Sequence, residues 1–280
     1  MVPPAATRHL TRDALYQPGE TALLLVDMQK AFLNPPTEKP GAFNFGPYFY
    51  EHTSAVTVPN AVKVLKAARE NGVEVLHTTI QSLTEDGRDR SLDHKLGGIH
   101  VGPTDPDADP VEPLAPKGDE IVIKKTSSGV FNSTNIDYIL RNIGIKYLVI
   151  AGILTDQCVD MAVRDAADRG YFVTCISDAC AAPTRERHEG ALSAFGGYCW
   201  TTDSDTMAFT KNFIQEHLIN VNHITPPVLE QLKGINLRQI YRMIDATNDG
   251  LVTPFEQWLQ QLGLIPDYVR ILENHLSIVL

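Results

Sequence analysis

The stretch KYLVIAGILTDQCVDMAVRDAADRGY, Lys146–Tyr171, changes character half-way along. Its first half, YLVIAGIL, is apolar on both sides, the pattern of a strand covered above and below. Its second half, CVDMAVRDAADRG, is amphipathic and closes on glycine, the pattern of a surface helix. The turn T-D-Q joins the two and leads directly into Cys158.

The same alternation extends in both directions. TALLLVD, VEVLHTTIQ, EIVIKK, YFVTCISD and YCWTT read as strands, while NAVKVLKAARENG, NIDYILRNIG and ERHEGALSAFGG read as helices. Strands apolar on both sides and joined by helices predict a doubly wound α/β fold, a mainly parallel sheet with helices on both faces. In such a sheet the reactive site lies in the crevice at the carboxyl ends of the strands. From Gln81 to Asp119 the pattern lapses into polar sequence rich in Gly and Pro, too long for a simple connection, and residues 82–118 are expected to form a lid or an oligomer contact.

The alternation stops after Asn220. The segment HITPP then leads into helical sequence, so the chain divides near residues 220–228 into a larger α/β domain, 1–220, and a small all-α module, 221–280.

Bulk properties narrow the function. Of 280 residues, 43% are hydrophobic and 21% charged, as in ordinary globular proteins. A net charge of −10 without a basic cluster repels a phosphate backbone or an anionic membrane surface, so neither nucleic acid nor membrane is an expected partner. Cys158, Cys175, Cys180 and Cys199 form no C-x-x-C pair and are too few for a disulfide framework. No apolar run is long enough to span a bilayer and the N-terminus has no signal-like core, which gives cytoplasm as the expected compartment.

Three reactive side chains fall at the same edge of the expected sheet. Asp27 ends the first strand, Lys125 ends EIVIKK, and Cys158 follows KYLVIAGIL. Each alone has a commonplace explanation as a loop cap, a solvated charge or a small core residue. Together they place a nucleophile at the start of a helix, where backbone N–H groups and a nearby lysine favour a thiolate.

The segments LLLVDMQKAF, VIKKTSSGVFNSTNID and GILTDQCVDMAVRDAADRGY resemble, in order, the three motifs of the isochorismatase-like cysteine hydrolases. The resemblance covers roughly Gly19–Phe213 and includes ureidoacrylate, biuret and N-carbamoylsarcosine amidohydrolases. It implies that Asp27, Lys125 and Cys158 act as a catalytic triad. Lys125, rather than the adjacent Lys124, keeps the spacing to both neighbouring motifs, and alternation points the two lysines to opposite faces. The resemblance also implies a cis peptide at Leu154–Thr155 and an oxyanion hole built from the backbone N–H groups of Thr155 and Cys158. No cofactor is implied for catalysis, the substrate being a small carboxamide or ureide, and a homo-oligomer is the expected assembly. Nicotinamidases of this superfamily carry an Asp-x-His metal motif where this chain reads TTIQSLTEDGRD, which counts against nicotinamide. True isochorismatases lack the cysteine, which counts against vinyl ether cleavage.

Phe32, Gln81 and Phe131 follow strand ends near the triad and are candidate substrate contacts. His77, His100 and His188 have no partner at metal-ligand spacing and read as structural or exposed.

In the tail, DATNDGLVTPFE, Asp245–Glu256, matches a twelve-residue EF-hand loop. Asp245, Thr247 and Asp249 would offer side-chain oxygens, Leu251 a carbonyl, Thr253 a water-mediated contact and Glu256 two carboxylate oxygens, with calcium the implied ligand. Thr at the third position lowers the ligand charge. Two readings therefore stand side by side: an amide or ureide hydrolase with this module attached, and a calcium-responsive interaction protein on a hydrolase fold of lost or minor activity.

Overall fold

A computed structural model describes residues 18–36, 43–205 and 207. Residues 221–280, expected to form the all-α module, with Asp245, Thr247, Asp249, Leu251, Thr253 and Glu256, lie outside the described residues.

Six strands form one sheet: β1 (Thr21–Val26), β2 (Glu74–Ile80), β3 (Ile121–Lys125), β4 (Tyr147–Ile153), β5 (Phe172–Ala181) and β6 (Trp200–Thr202). Their order is β3-β2-β1-β4-β5-β6 and every pairing is parallel. The helices are α1 (Lys30–Leu33), α2 (Pro47–His52), α3 (Val58–Glu70), α4 (Leu92–Leu96), α5 (Val130–Ser133), α6 (Ile136–Asn142), α7 (Asp160–Asp168) and α8 (Arg185–Phe195). From β1 the chain steps outward to β2, whereas from β4 it steps outward the other way to β5. Right-handed crossovers therefore lay α3 and α7 on opposite faces, and the doubly wound reading of the sequence holds for the described residues.

Burial explains the apolar runs. All six residues of β1 are buried, as are the last six of β4, because each lies in the middle of the sheet with layers above and below. β3 is an edge strand with only one side covered, so its residues alternate: Lys124 is exposed and Lys125 is fully buried, as alternation along the strand required.

The sheet reverses direction between β1 and β4, and here the backbones come unusually close. Gly152 pairs with Val26 at φ 134°, and a Cβ built on it would lie 2.2 Å from the Val26 carbonyl oxygen. Beyond this point β5 carries extra residues, the register moving from Ile150–Cys175 to Gly152–Cys180. Gly152→Ala therefore combines a disallowed φ with backbone overlap and is expected to destabilise the fold by at least about 2 kcal/mol. Denaturant titration of the purified variant measures this. A stability equal to wild type would show that the close approach is absent in solution.

Residues 82–118 are neither a separate lobe nor a detached lid. They carry α4 and two short 3-10 turns, and they dock on the residues just after β1. The docking bonds are Lys30 N–H to Asp109 O at 2.9 Å and Val111 N–H to Met28 O at 2.9 Å. Among the described residues no helix is long and apolar enough to cross a membrane.

Candidate active site

The switch point between β1 and β4 opens a crevice at the carboxyl ends of the strands, and the sequence delivers its reactive groups there from three strands. Asp27 sits one residue past β1, and it is the one non-glycine residue at positive φ, 53°, among the described residues. Aspartate tolerates this left-handed conformation better than most residues. Thr78 on β2 fixes it twice. The Asp27 N–H donates to the Thr78 carbonyl at 3.1 Å, and the Thr78 hydroxyl donates to Asp27 Oδ1 at 2.8 Å.

Lys125 enters from β3, two strands away. Adjacent strands are about 4.8 Å apart, so only a long side chain reaches across β2 to the end of β1. Its Nζ donates to the Ser127 carbonyl at 2.9 Å and the Ser128 carbonyl at 3.1 Å. It also lies 2.8 Å from Asp27 Oδ2, an ion pair not aligned as a hydrogen bond, and 3.4 Å from Cys158 Sγ. Burial opposes the charge on Lys125, but Asp27 and Cys158 outweigh it and the net shift in pKa is upward.

Cys158 lies inside a five-residue π-turn, Thr155–Val159, and α7 begins two residues later at Asp160. The cysteine therefore precedes the α-helix that the sequence has it open, and burial opposes the thiolate that a helix start and a lysine favour. Burial pushes the thiol up to about 12, Lys125 pulls it down, and the Asp27 carboxylate raises it again. On balance the shift is upward and favours the protonated thiol. The cis peptide also differs in position: it is Ile153–Leu154, one bond earlier than the resemblance implied, with Leu154 serving as the extended cap of the π-turn. The N–H groups of Gln157 and Val159 are both taken up by the Leu154 carbonyl, at 3.0 and 3.2 Å.

Beside Cys158 is a cavity of about 440 Å³. Asp27, Cys158 and Ser128 form its floor, Phe32, Phe43 and Phe45 one wall, and Gly97, Gly98 and Ile99 from the polar segment part of another. Phe32 thus lines the cavity as the sequence suggested. Gln81 does not: its amide donates to the carbonyls of Gly102 and Pro103 at 3.2 and 3.1 Å, because the side chain turns to tether the polar segment. Phe131 does not either, since it packs 6.1 Å from Tyr171 with the Arg169 guanidinium 5.2 Å over its ring.

Several residues around the site carry little signal in the sequence. Gln29 is fully buried, donating to the carbonyls of Ile80 and Ala108 at 3.0 and 2.8 Å and accepting from the Ile80 N–H at 2.7 Å. It ties the ends of β1 and β2 to the polar segment. An uncharged amide three residues past a strand end was its only signal. His94 on α4 borders the cavity, with Nε2 3.2 Å from the Ser128 hydroxyl and Nδ1 buried without a partner. Nothing in its local sequence separates it from an exposed histidine. His188, read as structural or exposed, contacts the buried Thr155 hydroxyl at 2.8 Å through Nδ1, so it adjoins the site. His77 is buried 3.2 Å from Glu120, and His100 is exposed.

The isochorismatase domain family matches residues 21–205, two thirds of the chain. The chain belongs to the isochorismatase family. It is 29% identical over 214 residues to the ureidoacrylate amidohydrolase RutB of Acinetobacter baylyi, covering 70% of this chain and 84% of that one. A probable inactive nicotinamidase of Arabidopsis thaliana is 34% identical over 175 residues, covering 60% and 84%. Among solved structures, a cysteine hydrolase from Pseudomonas syringae superposes with a TM-score of 0.60 at 25% identity, covering 69% of this chain and 92% of that one. The N-carbamoylsarcosine amidase of Thermoplasma acidophilum gives 0.53 at 26%, covering 66% and 97%. The chain is thus an isochorismatase-family member with amidohydrolase relatives.

Two buried histidines, His77 and His94, and the half-buried His188 lead to an expected pH dependence of stability. His77, His94 and His188 are all held below their ordinary 6.5, in each case first by burial; Lys125 adds to this at His94 and His52 at His188. Above 6.5 they are neutral folded and unfolded alike and contribute no slope. Below 6.5 the unfolded chain takes up protons that the folded protein refuses, so stability is expected to fall between pH 7 and pH 5. Glu120, held down to about 2, adds loss only below its ordinary 4.5, outside this window. Urea midpoints at pH 7, 6 and 5 measure the slope, which His77→Gln should shallow. An equal midpoint at all three would contradict it.

Proposed function

We propose that this family member hydrolyses the C–N bond of a small carboxamide or ureide, with Cys158 as nucleophile, Asp27 as general acid and base and Lys125 as the fixed cation between them. The observation that carries the reading is the position of the Lys125 ammonium, 2.8 Å from Asp27 and 3.4 Å from Cys158 beneath an open cavity. The amidohydrolases among the relatives support the same bond class.

The cycle follows from the resting protonation. Asp27 takes the thiol proton as Sγ attacks the carbonyl carbon, and the nearby ammonium stabilises sulfur as its negative charge develops. The carbonyl oxygen becomes an oxyanion, for which the N–H groups of Thr155 and Cys158 are the proposed donors, since those of Gln157 and Val159 are already engaged. The C–N bond then breaks, Asp27 returns its proton to nitrogen, and ammonia or an amine leaves. Water, deprotonated by Asp27, attacks the thioester; the acid departs and the thiol is restored. The chain's own residues supply every proton transfer, so no cofactor is invoked for catalysis.

Ammonia release across a panel of ureides, carbamoyl amino acids and carboxamides tests the reading. Release by wild type that is absent from Cys158→Ser is expected. Silence across the panel would favour the alternative of an interaction protein on a hydrolase fold.

A further inference from the structure

The cavity is larger than the reacting group needs. A carboxamide or ureide unit is a few heavy atoms, whereas about 440 Å³ falls in the range that holds ligands of drug size. What fills the remainder must suit the wall, and the wall is aromatic.

Phe43 and Phe45 stand with their rings 6.4 Å apart and nearly parallel, at 9°, and Phe32 lies 4.8 Å from Phe43 and 6.3 Å from Phe45. These rings are held in place rather than loosely exposed. The Tyr50 hydroxyl accepts from the Phe45 N–H at 3.2 Å and donates to the Phe43 carbonyl at 2.9 Å. Phe45 also packs 4.8 Å from Phe49, which is wholly buried. Phe43 and Phe45 nevertheless remain half-buried on the cavity. Fixed aromatic faces left partly in water forgo apolar burial that a ligand would recover. Ile80, Ile99 and Leu154 border the same space. Of the charged groups on this lining, Arg187 is already paired with Asp156 at 2.5 Å and Asp27 with Lys125 at 2.8 Å.

We infer that the substrate is a carboxamide or ureide carrying a ring-sized apolar substituent, which lies against the Phe32, Phe43 and Phe45 wall while its carbonyl sits over Cys158. The inference rests on the amide hydrolase reading for the placement of the carbonyl, but its aromatic subsite is testable without turnover.

Two matched pairs serve as probes: phenylacetamide with acetamide, and benzylurea with methylurea. Binding is measured by calorimetry on Cys158→Ser, and kcat/KM on wild type. The ring-bearing member of each pair is expected to bind at least about tenfold tighter, as burial of a ring-sized apolar group implies, and to be preferred in kcat/KM by a similar factor. Phe43→Ala is expected to bring the ratio within each pair close to one, and Tyr50→Phe, which keeps the ring but unties the wall, to lower it partway. Should either variant fail to fold, the other carries the test.

Equal binding within each pair, no binding of either ring-bearing probe, or a ratio that survives Phe43→Ala would overturn the inference. Ring preference in binding with no turnover of any probe would sink the hydrolase reading and leave the aromatic subsite standing. Turnover without ring preference would do the reverse.

Discussion

Cys158→Ser is expected to lower kcat by at least about 10⁴-fold with little change in melting temperature, because it removes the group that forms the covalent intermediate while nearly keeping its volume. Serine would occupy the same buried place beside Lys125 and Asp27. Its hydroxyl, however, is a far weaker acid than a thiol, and the site offers a carboxylate as base rather than an imidazole. The same burial that pushes the Cys158 thiol up to about 12 would weigh on an alkoxide even more. A loss of activity accompanied by a large loss of stability would mean instead that the cysteine acts as a packing residue.

Asp27→Asn should affect both activity and stability, and this separates it from the cysteine variant. Loss of the base is expected to cost about 10²- to 10⁴-fold in kcat. The substitution also leaves the Lys125 ammonium, fully buried, with carbonyl partners and no counter-charge. Removing one member of a buried pair costs about 3–5 kcal/mol. Activity assays and denaturant unfolding of the same preparation measure the two together. Retained activity would remove Asp27 from the chemistry, and unchanged stability would mean that the lysine loses its charge when the aspartate is gone.

The sequence made the sheet legible because the chemistry of burial repeats along it. Apolar runs covered on both faces, as in β1 and β4, can be read without a structure, and so can the alternation of Lys124 and Lys125 on an edge strand. The meeting of Asp27, Lys125 and Cys158 was legible for a related reason: in a parallel doubly wound sheet, strand ends converge, so residues far apart in sequence share one crevice. The cavity was less accessible. Phe43, Phe45 and His94 reach it from irregular segments, whose course depends on tertiary bonds such as the Tyr50 clamp and the docking of residues 109–111 behind β1. Gln81 and Phe131 lie near strand ends as expected, yet their side chains turn to tether a loop and to pack a helix. At Cys158, proximity to a helix start and a lysine favours a thiolate, whereas burial opposes it. The depth of burial, which decides the outcome, is a property of the folded state.

Hydrolysis by this route requires a transient covalent bond between the acyl group and Cys158 Sγ. Rapid acid quench of wild type with a turned-over amide or ureide, followed by intact and peptide mass measurement, tests it directly, with hydroxylamine added in a parallel reaction. The predicted result is an added acyl mass on the peptide containing Cys158, diversion of product to the hydroxamate, and the loss of both in Cys158→Ser. Steady release of ammonia with neither an adduct nor a hydroxamate would contradict it.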